Sequence, residues 1–175
     1  MISAEFCRVM ARYNSWKNKS LITAAEALTH AASWQERGAF FGSIAATLNH
    51  LYWADALILA RLTGNERPQD TIRHSLTDPA DWQDYKTRRQ HRDREIESWA
   101  DGLKDADLNG TLAWYQADGA TRITASGALC AAQLFNHQTH HRGQTHALLT
   151  GLGQPSIELD LLFFQREQAK PASSP

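Results

Sequence analysis

His137 and His141 stand four residues apart in the run Phe135-Asn136-His137-Gln138-Thr139-His140-His141-Arg142-Gly143-Gln144. On a helix that spacing puts both imidazoles on one face, one turn above the other. Histidines paired in this way share a metal ion in helical H-E-x-x-H sites, where the Glu acts as general base. Here Gln138 follows His137, so a metalloprotease reading fails. Two histidines do not saturate a metal, and a third ligand must come from another element. His50, beside a core-facing stripe far upstream, is the strongest candidate. Three neutral imidazoles suit Zn, Ni, Fe or Mn and leave a position open for water or substrate. An ion held this way activates either bound water or a thiolate. The competing reading makes His50 a hydrogen-bonded core histidine and His137 with His141 a helix-surface pair. His140 is turned about 100° from His141 on a helix and leaves the shared face. His146 also points elsewhere, and His30, His74 and His91 fall in loop or basic-face contexts without an assigned role.

The elements that would position these residues are four long helices. The first spans about 3 to 28, with Ser3 as N-cap; Asn14 interrupts its apolar face and hints at a polar contact. A second runs from about Phe40 to Leu62 and ends at Gly64. Its apolar character raises a membrane question, which Asn49, His50 and Asp55 answer in the negative. The stretch from Asn65 to Ala80, with Pro68 and Pro79, reads as a loop. A third helix, about Asp81 to Leu103, carries Lys86, Arg88, Arg89, His91, Arg92 and Arg94 interleaved with acids, a pattern typical of a solvated face. Asp118-Gly119 between two short β-compatible runs signals a hairpin. Thr124 or Ser126 then caps a fourth helix reaching about Thr150, stopped by Gly151-Leu152-Gly153-Gln154-Pro155. A short helix follows from about Ile157 to Glu167. The expected architecture is all-α: an up-down-type four-helix bundle with a small β-hairpin inserted before the fourth helix and a short C-terminal helix. Residues 1–168 make one domain, and 169–175 a disordered tail.

Composition narrows the function classes. With 18 Lys plus Arg against 19 Asp plus Glu, the formal net charge of -1 gives no global case for nucleic-acid binding. Cys7 and Cys130 are too far apart for a CxxC motif and read as two reduced, buried thiols. The first twelve residues lack a long apolar h-region, so the expected location is cytoplasmic, with no membrane association.

Asn49-His50-Leu51-Tyr52-Trp53-Ala54-Asp55, Asn136-His137-x3-His141-Arg142-Gly143-Gln144 and Gly151-Leu152-Gly153-Gln154-Pro155 together resemble the DinB family. Ala11-Arg12-Tyr13-Asn14-Ser15-Trp16 looks like that family's opening helix. The H-x3-H-R-G-Q segment is the specific part, and the resemblance runs from about residue 4 to 166. It implies a four-helix bundle, usually a homodimer, with a divalent metal on three histidines, carried by position to His50, His137 and His141. Zn or Ni comes first, Fe or Mn after. Relatives implied by the resemblance include S-transferases that use a low-molecular-weight thiol such as bacillithiol or mycothiol, and thiol-dependent isomerases. The expected function is a divalent-metal-dependent enzyme acting on a small-molecule substrate, in the form of a thiol-dependent S-transferase. A metal-dependent hydrolase and a non-enzymatic metal-binding stress-response protein are the alternatives. Asp55, about one turn beyond His50, is expected to accept the far N–H of an imidazole ligand, to pair with Arg142 or to act as a cap, and Tyr52, Trp53 and Trp114 to wall the cavity. A DNA-contacting role, suggested by the damage-inducible label of the family it resembles and by the Arg-rich third helix, is opposed by the net charge. The protein should therefore leave labelled DNA unretained in a low-salt filter-binding assay, and retention would contradict that expectation.

Overall fold

The computed structural model describes residues 2–116 and 118–168; the tail expected to be disordered lies outside them. Four long helices dominate: α1 (Ala4–Glu26), α3 (Ile44–Thr63), α5 (Trp82–Gly102) and α6 (Gly127–Gly151). Each begins where a side-chain oxygen accepts from an otherwise orphaned backbone N–H. Ser3 accepts from Phe6, Ser43 from Ala46, Asp81 from Asp84 and Ser126 from Leu129. At the other end of α3, Gly64 adopts φ 74°, the left-handed cap that glycine takes without steric cost. Strands β1 (Thr111–Tyr115) and β2 (Arg122–Ser126) form the expected antiparallel hairpin, pairing Thr111 with Ser126 and Tyr115 with Arg122. Helix α7 (Leu161–Gln168) closes the described chain.

The boundaries differ from the sequence expectation in four places. Helix α3 starts at Ile44 rather than Phe40, because Gly38 and Gly42, at φ 71° and 80°, close a tight turn around Phe40 and Phe41. The stretches expected as plain connections each carry a short helix, α2 (His30–Trp34) and α4 (Ile72–Ser75), capped by Thr29 and Thr71. Helix α7 starts four residues late because the preceding strap is committed to α1. There the Tyr13 hydroxyl and the Lys17 ammonium donate to the carbonyls of Leu159 and Glu158.

Two apolar clusters fill the bundle, one toward each end. The first joins Cys7 and Met10 of α1, Ile58 and Leu59 of α3, Ile96 and Ala100 of α5, and Leu134 and Phe135 of α6. The second joins Leu21 and Ala25, Ile44 and Leu48, Tyr85, and Leu149. Each helix contributes opposite ends to the two clusters, so α1 and α6 run one way and α3 and α5 the other. Ion pairs from Arg12 to Asp101 and from Lys86 to Glu26 fix the antiparallel α1/α5 contact. Around the bundle α1 packs on α5 and α6, and α3 packs on α6 and α5, leaving α1 and α3 on a diagonal. The parallel neighbours α3 and α5 require the intervening chain to travel back along the bundle, which the long Asn65–Asp81 connection does. Among the described residues no helix is long and apolar enough to cross a membrane.

Both cysteines are buried and unpaired. Burial pushes the Cys7 thiol up to about 11, against the opposing influence of Arg8, and also raises Cys130. The thiolate is the nucleophile, so at pH 8 a thiol at such a pKa is ionised about one part in a thousand. Neither cysteine should be alkylated in the native protein at pH 8, and both should label on denaturation. Mass spectrometry after an iodoacetamide pulse checks this; rapid native labelling of Cys7 would contradict the packing.

Candidate metal centre

Helix α6 supplies His137 and His141 one turn apart, and α3, packed directly against α6, supplies His50. The three ring systems converge through one nitrogen each. His50 Nε2 lies 3.3 Å from His137 Nε2, and His141 Nε2 lies 3.2 Å from the same atom. One donor atom from each of the three falls within 4.8 Å of the others. Two nitrogens about 2.0–2.1 Å from a tetrahedral zinc are separated by roughly 3.3 Å. The observed spacing matches that edge.

The protonation of the rings suits a cation. Burial, followed by the neighbouring His141, holds His50 down to about 3; burial and the same neighbour hold His137 down to about 4. Burial also lowers His141, while Gln144 works against it. All three are neutral near pH 7 and carry a lone pair. Gln144 Oε1 sits 2.7 Å from His141 Nδ1; as a carbonyl it accepts, so the proton is on Nδ1 and the Nε2 lone pair faces the cluster. Such a hydrogen bond on the far nitrogen is the usual support of a metal-bound imidazole. The Nδ1 atoms of His50 and His137 are buried and without a hydrogen-bond partner among the described residues. Number, spacing and charge state of the donors are compatible with a divalent metal ion.

Aromatic rings enclose the cluster. Phe41 lies over His50, ring centroids 4.0 Å apart and 32° between planes, and 5.4 Å from His141. The Trp53 ring is 6.1 Å from His50, and its Nε1–H donates to the Asp70 carbonyl. Trp114, expected as another wall, instead lies in the hairpin, stacked under Arg61 about three turns along α3 from His50. Tyr52 faces away toward Arg92. His140 is exposed, its ring beside that of His141, and His146 is occupied with Ser156 and the backbone of Ile157. A cavity of about 930 Å³ between α3, α5 and the loop that joins them is lined by Tyr52 and Trp53 but by none of the three histidines.

Behind the histidines lies a buried polar layer that the sequence pattern did not disclose. Arg89, expected on a solvated face, is fully buried, with Nη1 2.5 Å from Asp55 and Nη2 2.8 Å from Asp93. Burial works to lower Arg89, but Asp93 and Asp55 outweigh it and hold the guanidinium above its ordinary range. Burial pushes Asp55 up to about 6 in spite of Arg89. Asn18 donates to Asp93 from α1. Gln138 donates to Asp55 at 2.8 Å and accepts from Arg142 at 2.7 Å, so Asp55 reaches Arg142 only through Gln138. Burial brings Arg142 down to about 10. Gln138 and Arg142 repeat the four-residue spacing of His137 and His141 one position later. That second stripe, together with Gln144 three residues after His141, was the available signal in the sequence. Phe41 had none, because the turn that aims it depends on the conformation of Gly38 and Gly42.

Compared with known proteins, the DinB family model matches residues 1–172. A DinB-like protein from Bacillus cereus ATCC 10987, solved as a crystal structure, shares the fold with a TM-score of 0.57 and 19% identity. The match covers 83% of this chain and 91% of that one. No curated protein gives a significant match.

Removing one partner of a buried charge pair leaves the other uncompensated. Asp55→Ala should lower stability by about 3–5 kcal/mol in urea or guanidinium titrations. Asp84→Ala, which breaks the exposed pair with Arg88, should cost no more than about 1 kcal/mol. Equal losses in the two variants would contradict the role given to the buried layer.

Proposed function

The chain belongs to the DinB family, and on that premise we propose that it is a divalent-metal-dependent enzyme, a thiol-dependent S-transferase. His50, His137 and His141 would hold the ion through their Nε2 atoms; zinc or nickel suits these donors first, and iron or manganese next. The convergence of the three Nε2 atoms carries this reading. When bound, the ion supplies one thing, a lowered pKa for a low-molecular-weight thiol, which becomes a nucleophile at neutral pH.

The rest is done by the chain. Gln144 keeps the His141 lone pair facing the cluster, and Phe41 and Trp53 flank His50 with aromatic rings. Among the described residues no carboxylate joins the three histidines. Asp55, the nearest acid in sequence to His50, is already engaged with Arg89 and Gln138. Ionising a metal-bound thiol needs no protein carboxylate, and neither does lowering the pKa of metal-bound water. Thiol transfer stands first because it is what the family resemblance implies, with metal-dependent hydrolysis as the alternative. In this reading the protein works in the cytoplasm on a small-molecule substrate, within a stress response, as a homodimer. Phe6 and Val9 on α1 and Leu129 at the start of α6 are partly exposed and offer apolar surface for pairing.

Elemental analysis should find one divalent ion per purified wild-type chain and strong depletion in His50→Ala and His137→Ala. Retained metal in both variants would sink the three-histidine assignment. A second expectation separates an enzyme from a structural site. His141→Ala should abolish thiol consumption in a panel of electrophiles while keeping a cooperative thermal transition; loss of the fold without any wild-type activity would favour a structural ion.

A further inference from the structure

The turn before α3 presents a large apolar side chain to solvent beside the histidine cluster. Phe40 is 81% exposed, although an exposed phenyl forgoes the burial that a Phe side chain normally gains. The turn holding it is closely built. Arg37 N–H donates to the Gly42 carbonyl and Gly42 N–H to the Ala39 carbonyl, each at 2.8 Å. Glu36 accepts from the Gly38 N–H inside the turn, and a side chain at Gly42 would collide with the same carboxylate. Arg37 is tied to the Ala32 carbonyl and to Gln35. Phe40 is therefore held out by a fixed turn.

Its ring meets Phe41 edge to face, centroids 4.8 Å apart and 84° between planes. Phe41 in turn covers His50 and approaches His141. An aromatic ladder thus leads from solvent at Phe40 to the Nε2 cluster, with Trp53 on the other flank of His50. The hydrogen-bond partners of the three histidines are one another and the neutral Gln144 amide.

From this juxtaposition of Phe40 and Phe41 with the three-histidine cluster, we propose a subsite for an aromatic group carried by the ligand that reaches the metal centre. Phe40 and Phe41 are its specificity-determining residues. The proposal rests on the metal-centre reading and adds the class of ligand. A phenyl ring entering along the ladder would stack or meet Phe40 edge-on, a contact that favours it over a small polar head by about tenfold.

The test uses full-length protein loaded with cobalt(II), whose visible spectrum reports on the occupied site. Benzyl mercaptan and 2-mercaptoethanol are titrated separately, and each affinity is read from the change in that spectrum. Wild type should bind benzyl mercaptan about tenfold more tightly, and in Phe40→Ser the ratio should fall to near one. Because Phe40 is exposed, the variant should retain the fold and the cobalt spectrum seen before thiol is added. Equal wild-type affinities, or a preference surviving in Phe40→Ser, would overturn the subsite while leaving the metal centre standing. A variant that changed oligomeric state in light scattering but kept the thiol preference would assign Phe40 to a protein contact instead, which also overturns it. Absence of a cobalt spectrum before thiol is added would overturn the metal centre itself, and the subsite with it.

Discussion

The bundle depends on one buried charge cluster: Arg89 set between Asp55 and Asp93, with Asn18 bonded to Asp93 and Gln138 linking Asp55 to Arg142. Taking these groups out of water is costly, and the cost is tolerable only while each keeps its partners. The layer lies between two apolar clusters that, by themselves, would accept several rotations of the helices. Gln138 removes that freedom for α6, since its amide must meet Asp55 on α3 and Arg142 one turn on. Gln138 and Arg142 directly follow His137 and His141. The rotation that satisfies the charged layer is therefore the one that turns the histidine pair toward His50.

Topology supplies the other requirement. If the four long helices followed one another around the bundle in chain order, the second and fourth would lie on a diagonal. Adjacent helix axes are about 8–10 Å apart, and a diagonal pair is farther, so imidazoles reach a shared ion most directly from adjacent helices. Here α1 and α3 occupy the diagonal and α3 packs on α6. The long connection from α3 to α5 makes this arrangement possible. A feature that reads in the sequence as a proline-containing loop is thus part of what brings the three histidines together.

Much of this was legible in the chain. Ser3, Asp81, Ser126 and Gly64 mark helix ends by local chemistry that tertiary packing did not override. The three histidines declared themselves through helical spacing and through a family resemblance that the match over residues 1–172 bears out. What stayed hidden is non-local. Arg89 sits in a run of mixed charges that looks solvated, and only the partners from α3 and its own next turn explain its burial. Phe41 continues the apolar pattern of α3, but two glycines in the left-handed region place it in a turn. Asn14, a polar interruption of the apolar pattern of α1, is buried without a side-chain partner among the described residues.

The most direct measurement is a crystal structure of zinc-loaded protein with anomalous data at the zinc edge. The arrangement predicts a single strong peak equidistant from His50, His137 and His141, about 2.0–2.1 Å from each Nε2, with Gln138 still joining Asp55 to Arg142. A peak on fewer than three of these histidines, or one held by carboxylates elsewhere, would contradict it.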